Sequence, residues 1–173
     1  MRLNQKLSDW ANIAEIIGAA AIVISLIYVG IQVSDSTRAV RSATANETSA
    51  ALSSWYAQLG TDQQASTVFL DAMTNPESLS REELFQFVVQ LHGLMMEYQA
   101  AYYLSQEGTL DTELQESITN TLLGVKDLPG FSLYWGQRRD LFKASYRDYV
   151  ENLVSTGNTN TDMERVYQPR KSD

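Results

Sequence analysis

Cysteine is absent from this sequence, and with it go disulfides, thiolate zinc sites, iron–sulfur ligation and cysteine nucleophiles. The redox compartment therefore stays open. His92 is the only histidine, so a nucleophile would have to be Ser, Thr, Asp or Lys, and neither a G-x-S-x-G elbow nor an S-x-x-K motif is present. No E-x-x-H pair exists to build a di-iron bundle, and no phosphate or dinucleotide loop can be found. The expectation is a protein that is not an enzyme, with no catalytic residue, no metal and no cofactor. Basic residues are also in deficit, 13 Lys and Arg against 21 Asp and Glu, for a net charge of -8. Residues 1–42 hold four bases (Arg2, Lys6, Arg38, Arg41) against three acids (Asp9, Glu15, Asp35), so the acidic excess lies in the rest of the chain. Such a surface repels phosphate backbones, and no nucleic-acid partner is expected.

What the chain has instead is one long apolar run. From Ile13 to Val33 the strongly polar residues are Glu15, Ser25 and Gln32, and as a helix this stretch spans roughly 30 Å, the thickness of a hydrocarbon core. Trp10 and Tyr28 suit interfacial anchors. Two rivals remain open. One is a core helix of a soluble protein. The other is an export signal, for which Arg2 and Lys6 form a basic start and Ala43-Thr44-Ala45 has the A-x-A form. Asp9 and Glu15 interrupt the approach to the apolar run, and Ala45 lies about a dozen residues past its end, farther than a cleavage site ordinarily sits. The favoured reading is an uncleaved anchor.

Within the run, Ala11, Ala14, Gly18, Ala21, Ser25, Tyr28 and Gln32 recur at alternating intervals of three and four, a seam of small and polar residues of the kind that lets membrane helices approach closely. Ala14, Gly18, Ala21, Ser25, Tyr28 and Gln32 are the candidate self-association positions. Alanine is common in membrane helices, which is the plainer account. Glu15 is read either as a solvated carboxylate at a helix start or as a pore-facing or headgroup-facing acid.

After Val33 no proline or glycine appears until Gly60, so the helix is expected to continue as a stalk, with a break tolerated at Ser34–Thr37, and by its end, near "ALSSWYAQLG", to be apolar enough to join the helical bundle. Thr61 with Gln64 and Ser80 with Glu83 fit capping boxes, Leu79 with Leu84 supplies a hydrophobic staple, and Asn75-Pro76 separates the two helices. From Ser80 to about Gln106, heptad spacing of Leu84, Val88, Leu91, Met95, Tyr98 and Tyr102, widened by Phe85, Phe87, Leu94 and Met96, predicts the central helix. Gly108 ends it, Asp111 caps the next helix to about Val125, and Leu128-Pro129-Gly130 turns the chain. "FSLYWGQRRDLF" predicts a short helix, and Ser145 with Asp148 opens the last, through Leu153. No segment alternates with a strand's period. The fold class expected is all-α: an N-terminal transmembrane helix continuing into a long stalk helix, followed by a compact helical bundle. The boundaries are a polar N-terminal segment at 1–9, the transmembrane helix at 10–33, the stalk at 34–60, the bundle at 61–155 and a disordered tail at 156–173.

"IGAAAIVISLIYVGIQVSDSTRAVRSAT", "LHGLMMEYQAAYYLSQEGTLDTEL" and "PGFSLYWGQRRDLFKASYRDYV" together resemble a family of uncharacterised bacterial single-pass membrane proteins with an N-terminal membrane helix and a helical body. The resemblance covers residues 13–153 and includes basic residues after the apolar run, here Arg38 and Arg41. It implies a bacterial inner-membrane protein and carries no activity. Arg2 and Lys6 balance Arg38 and Arg41 across the span, so charge does not decide orientation. The likeness tips the body toward the cytoplasm over the periplasm.

In the body, His92 shares a stripe with Phe85, Met96, Gln99 and Tyr103, the pattern of a hydrogen-bonded core histidine more than of a catalytic one. Glu97 is expected to pair with Arg138 or Arg139. Tyr98, Tyr102, Tyr103, Tyr134, Trp135, Tyr146 and Tyr149 form either ordinary core or a pocket lining. Arg138, Arg139, Lys143 and Arg147 are a candidate docking surface for a membrane or an acidic partner, or a solvated helix with local ion pairs. The functional expectation is a membrane-anchored scaffold or accessory subunit, with membrane lipid and either a second copy or another membrane protein as partners. The alternative is a homo-oligomeric channel lined by the N-terminal helices.

Overall fold

A computed structural model describes residues 2–157, with side chains described at Trp10 and from Asn12 onward. It is all-α among the described residues: α1 (Arg2–Thr61), α2 (Gln63–Thr74), α3 (Arg81–Gln106), α4 (Thr112–Val125), α5 (Pro129–Arg138) and α6 (Ala144–Thr156), with 3₁₀ turns at Pro76–Ser78 and Arg139–Leu141. The chain divides into two units, residues 1–42 and 43–173, with the boundary inside α1.

In the first unit α1 is unbroken. Polar residues 2–9 belong to the same helix, and no interruption occurs at Ser34–Thr37. The Thr37 hydroxyl donates to the Val33 carbonyl at 2.8 Å, which satisfies it inside the helix and removes the reason for a break. In the second unit, Ala45, Thr48, Leu52, Trp55 and Leu59 continue the three-four spacing, and Thr48 is buried while Ala45, Leu52 and Trp55 pack against the core. Trp55 Nε1 donates to the Gln90 carbonyl at 2.8 Å. The stretch expected to be a stalk that joins the bundle toward its end packs against the core from Ala45 onward, and the second unit begins at residue 43.

The start signals sort into kept and corrected. Ser80 and Glu83 form the reciprocal capping box, and Leu79 and Leu84 both pack against the core. Asp111 accepts from the Glu113 N–H at 2.8 Å. At α2 the cap is Asp62, which accepts from Ala65 N at 3.0 Å; Thr61 instead turns its hydroxyl back to the Ala57 carbonyl at 2.6 Å. Its position on the last turn of α1 gives it a carbonyl to bond, so the shorter-ranged Asp62 takes the cap. Ser145 is displaced likewise: α6 opens after Lys143, and the Ser145 hydroxyl meets Tyr103 OH at 2.6 Å. Gly108 sits at φ +70° and ends α3, the left-handed conformation that glycine adopts without strain. The tail expected from residue 156 lies outside the described residues, save that Thr156 closes α6 and Gly157 follows it.

Helix α3 is central, packing against α2, α4 and α5 and burying Phe87, Val88, Leu91, Leu94, Met95, Tyr98 and Ala101. Phe85 and Met96, counted as widening its apolar stripe, are exposed. Gly130 lets α5 touch α2: a Cβ there would meet the Ala72 carbonyl oxygen and stand 2.6 Å from Met73 Cα, both backbone. Gly130→Ala should therefore cost about 1–3 kcal/mol by forcing the helices apart. Gly93, inside α3 and exposed with open space about it, is the contrast: Gly93→Ala should stabilise by about 1 kcal/mol. Thermal melts of the full chain check both; equal effects of like sign would contradict this packing.

Candidate functional site

Every residue from Asn12 to Val33 is exposed, including Ile16, Ile17, Ile22, Leu26 and Ile27, each more than half open. One helix among the described residues is thus long and apolar enough to cross a membrane, and none of its apolar window is covered by the protein. Ala14, Gly18, Ala21, Ser25, Tyr28 and Gln32 share one face by their helical spacing, and Glu15 stands exposed beside it. The Gln32 amide donates to Tyr28 OH at 3.2 Å, so two of the most polar seam groups partner each other one turn apart. A Cβ at Gly18 would meet nothing within 4 Å.

The four cations of the candidate docking surface are largely engaged locally. Arg139 donates to Glu151 at 3.2 Å and Arg147 to Asp140 at 3.1 Å. The Lys143 ammonium lies 4.5 Å from the Tyr103 ring centre, and Arg138 is half-buried near His92. This is the arrangement of a solvated surface with local pairs, each worth about 0–1 kcal/mol. Glu97 is exposed and is not Arg139's partner. At its helix position it faces away from the apolar stripe, so nothing demands that it be neutralised.

His92 accords with a core role. Its Nδ1 is 2.9 Å from Tyr134 OH, and its ring lies 5.2 Å from that of Phe142. Burial, and secondarily the positive charge of Arg138, holds its pKa below the ordinary histidine value. Burial raises the phenols of Tyr134 and Tyr146.

The aromatic set is mostly core. Phe131, Trp135, Phe142, Tyr146, Tyr102 and Tyr149 run ring to ring, with centroids 6.1, 5.5, 5.6, 5.6 and 4.7 Å apart in turn, distances at which aromatic pairs add to burial. A cavity of about 530 Å³ lies elsewhere, among the end of α1, α2, α3, α4 and the start of α5. Of the expected aromatic set only Tyr98 lines it. The others there are mainly apolar, among them Trp55, Phe69, Leu91, Met95 and Leu122. Tyr98 lines it together with Tyr56 and Thr121, and burial foremost raises its pKa, so its phenol stays protonated. Spacing alone did not locate this cavity, because it arises where five segments meet. The exposed apolar pair Tyr56 and Leu70, left over from the core stripes of α1 and α2, was the available trace.

No family model, curated protein or solved structure matches this chain. The described residues contain no cluster of His, Asp and Glu able to hold a metal.

The lowered His92 pKa sets a sign. A group that prefers to be neutral when folded binds its proton more readily when unfolded, so its contribution to stability is present at neutral pH and lost as pH falls below the ordinary value of 6.5. Between pH 7 and 5 the full chain should lose melting temperature, and His92→Gln, which can still meet Tyr134 OH, should lose less. Identical losses would contradict the assignment.

Proposed function

We propose that this is a single-pass membrane protein whose N-terminal helix anchors a helical body that works as an oligomeric scaffold or accessory subunit. The observation that carries it is the uncovered apolar surface of residues 12–33. A surface of that length and composition is stable in a bilayer and costly in water. The resemblance noted above supports a bacterial inner membrane and, with a smaller margin, a cytoplasmic body.

Self-association through Ala14, Gly18, Ala21 and Ser25 follows from the same helix. Within a bilayer there is no hydrophobic force between helices, so close backbone approach along a small seam is what favours pairing. A channel would use the same face. The Tyr28–Gln32 hydrogen bond favours the scaffold, because it pairs one polar group of each side chain within the helix and so lowers their demand for a water-filled lumen.

The test is the mass of the full-length protein in mild detergent beside Gly18→Leu. Leucine fits the free helix, since nothing lies within 4 Å of the Gly18 Cβ position, and blocks only an approach by another helix. A discrete oligomer that Gly18→Leu converts to monomer is the expected result. A wild-type monomer would overturn the self-assembling form of the proposal.

A further inference from the structure

We propose that the cavity of about 530 Å³ in the helical body is a binding site for a neutral single-chain amphiphile: an alkyl chain ending in a small hydroxyl-type head. The inference concerns the body alone and does not depend on the membrane reading.

Size and depth come first. The volume is that of small-molecule sites, about 300–1,000 Å³. Its floor is formed by core residues, with Leu91 2%, Met95 1% and Phe131 1% exposed, while its mouth is formed by Tyr56 at 48% and Leu70 at 43%. A docking helix would rest on the mouth and leave the floor uncovered, so a slender ligand fits the shape better than a protein surface.

Charge selects the head. No Lys, Arg or His lines the cavity, and its only ionisable carboxylate is Asp71. A fatty carboxylate or a phospholipid phosphate would enter beside an acid with no cation to receive it, which is a costly desolvation. The polar groups on offer are mainly hydroxyls, those of Tyr98, Tyr56 and Thr121 among them. These both donate and accept, as an alcohol head requires.

Trp55 lines the cavity and makes the test optical. Trp10→Phe and Trp135→Phe leave it as the sole tryptophan of the chain, and Trp135 Nε1 makes no hydrogen bond to lose. The full-length protein is held in an amphipathic polymer free of micellar detergent and titrated with 12-bromododecan-1-ol or with 12-bromododecanoate at pH 8. Saturable quenching by the alcohol, at least tenfold tighter than by the carboxylate, is the expected result. Leu94→Phe, which narrows the cavity, should weaken the alcohol, and Leu70→Arg, at an exposed position that tolerates charge, should reverse the preference toward the carboxylate. The proposal is overturned by no saturable quenching, by equal quenching by both probes, or by a preference unmoved by Leu70→Arg. Loss of the alcohol site on dimerisation would instead assign the cavity to a second copy and likewise overturn it.

Discussion

Twelve large apolar side chains between Ile13 and Val33, each about half exposed or more, need cover that their own chain does not supply. Burying one such side chain is worth about 1.5–3 kcal/mol, so together they represent tens of kcal/mol. The net stability of a folded domain is only about 5–15 kcal/mol. A deficit of that size makes the environment of the helix part of the structure. On the proposed reading a bilayer would provide it continuously along the run, and a helix is the form in which a single segment can enter one, because its backbone groups are already paired. The absence of proline and glycine from Ile31 to Leu59 lets that helix carry on without a break into residues that pack in the body.

The body resolves its own burial in two ways. Around α5 and α6 the aromatic rings close on one another, with His92 and Tyr134 bonded at 2.9 Å so that a polar pair can sit among them at small cost. Around α2 and the end of α1 the side chains stop short of closing, and the cavity is left between Trp55, Phe69 and Leu122. A closed run of rings on one side and an unfilled cavity of mixed aromatic and aliphatic lining on the other separate rigidity from capacity.

Much of this was legible beforehand. The all-α class, the extent of α3 and the Ser80 and Asp111 caps followed from periodicity and from local hydrogen-bond chemistry, which act within a few residues and leave their mark in spacing. Failures came where the decision was tertiary. Residues 34–60 read as a stalk that joins the bundle near its end, at "ALSSWYAQLG"; the packing starts earlier, at Ala45 and Thr48, where small side chains suffice because the neighbouring helix supplies the bulk. Phe85 and Met96 read as core by composition and are exposed because α3 is covered by its neighbours on only part of its circumference. Glu97 was given a partner it does not need once its face is solvent. For the candidate sites, the seam was visible in the spacing and its small residues remain unobstructed. The cavity was not, since no single helix contains it.

The central claim is that residues 12–33 cross a bilayer. The chain has no cysteine, so single cysteines can be placed at Ser8, Ile24 and Ser49 without a background and labelled with a membrane-impermeant maleimide in sealed vesicles of both orientations. The account predicts that Ile24→Cys resists labelling in both, and that Ser8→Cys and Ser49→Cys react from opposite sides. Labelling of Ile24→Cys as fast as its neighbours, or of both ends from one side, would contradict it.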